Sequence, residues 1–164
     1  MKLPAFLVLL ALSPLTAAND VAKIDYEHRY PFTESVSQLV EKTSVTDNLT
    51  FFGRAAGRCA AMFRSMHVLL VKDDPTQPHP TLEKYYGDLI DVYRDIGTQK
   101  TSSKDLSAKE LPGNMVKDAK TFLDAYYYWM TWNKRISGDY VEHSPAMQRE
   151  LKDCQGVLEI SGII

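Results

Sequence analysis

Leu49-Thr-Phe-Phe-Gly-Arg-Ala-Ala-Gly-Arg-Cys-Ala-Ala-Met-Phe-Arg-Ser-Met-His-Val-Leu-Leu70 is the stretch on which the fold turns. Leu49, Phe52, Ala56, Cys59, Phe63, Met66 and Leu70 recur at steps of three and four, which places them on one face of an α-helix. Arg54, Arg58 and Arg64 fall off that seam. Gly53, Gly57, Ala60 and Ala61 stand beside it, and side chains this small let a neighbouring helix approach closely. Asp47 or Asn48 supplies the N-terminal cap, and Asp73-Asp74-Pro75 ends the helix.

The same spacing repeats on both sides. After the proline-broken turn Pro75 to Pro80, a helix is predicted from about Thr81, with Leu82, Tyr85, Leu89, Tyr93 and Ile96 inward, Tyr86 and Ile90 widening the seam, and Gly97 at its end. Residues 98–106 are polar and aperiodic and read as an exposed loop. Ser107 with Glu110 has the pattern of a capping box, interrupted by Pro112-Gly113. From about Asn114 to Ile136 a long helix turns Met115, Ala119, Phe122, Tyr126, Trp129 and Ile136 inward, and Gly138 stops it. The last helix opens on Ser144 as N-cap and Pro145 at the first position, with Met147, Leu151, Cys154 and Leu158 on its seam. A weaker segment, Thr33 to Thr43, adds Val36, Leu39 and Val40. No alternating strand pattern is present. The expectation is an all-α fold, an up-and-down bundle of four to five helices.

Residues 1–18 have the three parts of a cleavable signal peptide: one charge at Lys2, an apolar run of about ten residues, and the small residues Ala17-Ala18 at the cut. The run is too short to span a bilayer, and no later stretch approaches the ~20 apolar residues of a membrane helix. Residues 19–164 then form one domain, large enough to build its own core. Loss of Lys2 takes the formal charge from −2 to −3. Such a mixed, mildly acidic balance argues against a nucleic-acid partner. Export to the periplasm or exterior makes Cys59 and Cys154 readable as a disulfide, with buried free thiols as the alternative. Bonded, they close a loop worth about 4 to 5 kcal/mol in the chain-entropy model.

Catalytic and metal patterns are sparse. None of the eight glutamates has a histidine three residues on, so the di-iron signature of helical bundles is missing. His28, His67, His79 and His143 are isolated, and of the four only His67, beside a seam, is placed where a ligand could sit. Neither a Gly-x-Ser-x-Gly elbow nor a Cys-x-x-Cys-His haem motif occurs. Asp88, Asp91 and Asp95 form an acidic column that reads as a solvated face beside Lys84. No metal or cofactor is expected, and the balance is against an enzyme. Asn48-Leu49-Thr50 matches a glycosylation acceptor, of consequence only in a eukaryotic secretory pathway.

The aromatic run Tyr126-Tyr127-Tyr128-Trp129-Met130-Thr131-Trp132 exceeds what one seam can bury. Tyr128 and Trp132 make a second stripe, continued by Arg135, and tyrosine, tryptophan and arginine are the usual anchors of protein interfaces. The stripe is either covered by Tyr26 to Phe32 or exposed as a binding patch for a protein partner. Two other functions stay open: a ligand carrier or enzyme with an inter-helix pocket at His67, Tyr126 and Asn133, and a structural component of an exported or viral assembly.

With its leader, the segment Arg58-Cys59-Ala60-Ala61-Met62-Phe63, the helix bearing Trp129 and Trp132 and the closing Leu151-Lys152-Asp153-Cys154, the chain resembles small exported helical proteins encoded by marine bacteria and their phages. That resemblance implies a bacterial or viral setting and brings no activity or site residues with it.

Overall fold

Two polar residues, Asp47 and Asn48, separate the first two helices, and their division of labour sets the entry to the fold. The computed structural model describes residues 31–100 and 113–164; the predicted leader at 1–18 and the Ser107/Glu110 box lie outside them. Helix α1 (Val36–Thr46) starts on a capping box in which Ser35 and Gln38 bond each other's backbone N–H. It ends on Asp47 at φ 52°, a left-handed conformation that a short polar side chain tolerates. Asn48, not Asp47, then caps α2 (Leu49–Asp73), accepting from the Thr50 N–H and hydroxyl.

Helix α2 ends where Asp74 N–H bonds the Leu70 carbonyl ahead of Pro75. Helix α3 (Pro80–Lys100) runs through the predicted stop. Gly97 does not take the positive φ of a terminating glycine, so the first polar residues after it stay helical. Helices α4 (Gly113–Ser137) and α5 (Pro145–Ile160) match their expected limits closely. Gly138, at φ 82°, stops the former, and Ser144 and Pro145 open the latter.

All the described elements are helical, and α2 is the hub on which the other four pack. Its middle is enclosed on every side: Ala55 through Phe63 are buried without interruption. Where α3 crosses, a Cβ on Gly53 or Gly57 would sit 3.0 Å from Ile96 or 3.1 Å from the Tyr93 ring. The small residues therefore permit this approach. The core also takes in Leu89, Phe122, Trp129, Met130, Met147, Val157 and Leu158. Cys59 and Cys154, both fully buried, form the disulfide between α2 and α5 with Cα atoms 5.3 Å apart.

Enclosure of α2 corrects the expectation for Arg58. The helix has no outer face at that turn, so Arg58 is only 3% exposed. Leu49 and Ile136, predicted inward, lie about half exposed because they sit in terminal turns beyond the packed middle.

Candidate functional site

Helical phase divides the aromatic run of α4. At 100° per residue, Tyr126, Trp129, Met130 and Asn133 face α2 and are buried. Tyr128 points away and is 64% exposed, with Tyr127 beside it at the margin of exposure. Trp132 goes inward at 9% exposure, while Arg135 is exposed. The three residues of the expected stripe therefore do not share one surface: Tyr128 and Arg135 remain outside, and Trp132 is buried. Of the segment expected to cover the stripe, residues 26–30 lie outside the described residues; Phe32 lies on Phe122 and Tyr126, at 6.0 and 5.1 Å between ring centroids.

Beneath Phe32 lies a polar cluster that periodicity alone does not reveal. The Arg58 guanidinium stacks 3.8 Å from the Phe32 ring centre, donates to the Glu34 carbonyl, and pairs with Glu150 of α5. Glu150, 2% exposed, also accepts the Tyr126 hydroxyl at 2.5 Å. Burial raises the Tyr126 phenol well above its ordinary range, and the Glu150 carboxylate adds to the effect. Both charges of this pair are removed from water, which is tolerable only because each meets an opposite charge and further hydrogen bonds. The signal that would have found it is the ring of small residues around Arg58, which marks a helix with neighbours on all sides.

Among the described residues, the three positions of the pocket alternative have separate partners. Tyr126 is committed to Glu150, the Asn133 amide donates to the Tyr140 carbonyl at 3.0 Å, and His67 Nδ1 lies 3.4 Å from Arg64 Nη1. The acidic column of α3 is a solvated face: Lys84 reaches Asp88 at 2.7 Å, and Arg94 reaches Asp91 at 2.7 Å and Asp95 at 3.7 Å.

Two further places escape the sequence patterns. An open groove of about 690 Å³ separates the start of α1 from α5, lined in part by Ser35, Ser37, Gln38, Arg149 and Asp153. Its walls bond one another: Asp153 accepts the Ser37 N–H at 3.1 Å, placing this chain's own carboxylate at the positive end of α1. Asp139, Glu142 and His143 bring oxygen and nitrogen atoms within 4.8 Å of one another. One Asp139 oxygen already accepts the N–H groups of Val141 and Glu142, at 2.6 and 2.5 Å. Burial pushes this carboxyl up, but those two bonds, with His143 and Lys134, outweigh it and hold it below the usual carboxylate range. That cluster acts as the turn between α4 and α5.

The outer face of α4 is the remaining candidate. Lys117, Lys120, Asp124, Tyr128, Thr131 and Arg135 follow one another at steps of three and four, and all six are exposed. The stripe extends about 27 Å at 1.5 Å per residue. No known protein family matches the chain, and no curated protein and no solved structure matches it.

Proposed function

We propose that this is an exported helical protein that binds another protein through the outer face of α4, with Tyr128 and Arg135 as contact residues and Trp132 as the buried anchor that holds them in place. One observation carries the reading: a tyrosine that is 64% exposed stands on a helix whose opposite side is locked into the core. A rigidly presented tyrosine offers a large contact area at small entropic cost, and arginine is its usual companion at interfaces. The leader pattern of residues 1–18 supports export, as does the Cys59–Cys154 bond, since oxidising compartments preserve disulfides.

The test is to purify the mature protein from its native source by size-exclusion chromatography and identify co-purifying proteins by mass spectrometry. Tyr128→Ala and Arg135→Ala should each reduce recovery of the partner while leaving the melting temperature unchanged. Undiminished recovery in both variants would remove α4 from the interface. A closed monomer with no companion under native conditions would count against binding as the function.

A further inference from the structure

Charge along the same stripe says what kind of surface it fits. Lys117, Lys120 and Arg135 are exposed, and none of them enters an ion pair among the described residues. Asp124 is the stripe's single acidic member, so the stripe carries a net positive charge on a chain whose total is −2. The other long exposed face, that of α3, behaves differently. Its Lys84 and Arg94 are held by Asp88, Asp91 and Asp95. Cations left unneutralised around an exposed tyrosine form a complement to carboxylates.

We propose that the outer face of α4 docks an acidic protein surface, with Lys117, Lys120 and Arg135 meeting its carboxylates and Tyr128 packing at the centre; this rests on the reading of that face as a binding surface. Complementary charge at an interface sets partner choice and speeds encounter. Alternatives fit less well. A two-fold contact between two copies through this face would bring like charges together. A membrane surface calls for a denser run of cations and an apolar side to insert. A nucleic acid calls for a basic domain, and this one is acidic overall.

Binding is measured by fluorescence anisotropy with four labelled probes: a glutamate–tyrosine copolymer, poly-lysine, a DNA duplex, and vesicles containing phosphatidylglycerol. The copolymer should bind best, and its affinity should fall about tenfold or more with Lys120→Glu combined with Arg135→Glu, and again on raising the salt from low to physiological. Glu83→Lys, on α3, should leave it within about twofold. Equal or tighter binding of DNA or vesicles overturns the proposal, as does copolymer binding that ignores the charge reversals or is absent altogether. So does concentration-dependent self-association, in analytical ultracentrifugation, that the same reversals abolish. A separate photo-crosslinker at Tyr128 keeps the two readings apart. If it captures a partner whose contact surface is not acidic, α4 remains a binding face and only the acidic-partner proposal falls.

Discussion

Arg58 and Tyr128 each sit where the other would be expected. The junction of α2 and α5 buries a guanidinium at 3% exposure, whereas the outside of α4 displays a tyrosine at 64%. Charged residues are almost never fully buried unless paired, and large aromatics usually supply the core. What separates the two places is partnership. Arg58 is enclosed together with Glu150, the Glu34 carbonyl and the Phe32 ring. Tyr128 has a helix beneath it and solvent above. The first place spends its chemistry inside the molecule, and the second leaves its chemistry available to something else.

The strongest way to probe the buried side is to cut its covalent tie. Cys59→Ser with Cys154→Ser should lower stability by about 4 to 5 kcal/mol in urea unfolding, given a sequence separation of 95 residues. Arg58–Glu150 joins the same two helices within about one turn of the disulfide, so the variant should still fold. Its collapse would mean that the ionic tie contributes little.

Glu150→Gln comes next. Leaving Arg58 buried without its carboxylate should cost about 3 to 5 kcal/mol, whereas Arg58→Met and Glu150→Leu combined with Tyr126→Phe, which removes the hydroxyl that Glu150 accepts, should cost much less. If the single change were mild in urea unfolding, the junction would be wetter than its 2 to 3% exposures indicate.

Trp132, 9% exposed and one turn from Tyr128 on α4, sharpens the contrast when truncated. Trp132→Ala should cost about 3 kcal/mol as a large core residue, while Tyr128→Ala, four residues away, should change stability by less than about 0.5 kcal/mol. Comparable losses in thermal unfolding would put both residues in the core and leave no aromatic binding face.

The last effect is absent at neutral pH and appears only in alkali. Desolvation raises the Tyr93 and Tyr140 hydroxyls from 10.0 to about 12, Asp118 and Asp73 respectively adding to it, and burial also raises Tyr126 well above its ordinary value. A phenol whose folded value is raised contributes stability in full below its unfolded value, and loses it as pH climbs through the folded one. Stability should therefore be level up to about pH 9 and decline from about pH 10 toward 12. A flat urea midpoint across that window would show that these hydroxyls are not desolvated.

Much of this was legible from periodicity. The seam Cys59, Phe63 and Met147, Cys154, Leu158 put both cysteines inward, and the Ser144-Pro145 start fell where α5 begins. Arg58 was not legible from the three-four pattern, which describes one face; only the small residues around it signal that α2 has neighbours on every side. Gly97 misled for a related reason: glycine permits a left-handed stop without requiring one. Tyr128 and Trp132 looked alike in sequence, four apart on one helix. The packing of α4 around α2 separated them, since a helical stripe four residues on is turned by about 40°.

What the sequence determined by itself is the helical class, the Ser144-Pro145 start of α5, a start of α2 at Asp47 or Asn48, and the inward placement of the cysteines, all of which follow from local spacing and side-chain chemistry. Which helix stands at the centre is a tertiary matter, and so are the pairing of Arg58 with Glu150 and the choice of which aromatics reach solvent. Those outcomes depend on contacts between segments up to 95 residues apart, and burial is a property of the whole assembly of helices, which no single helix encodes.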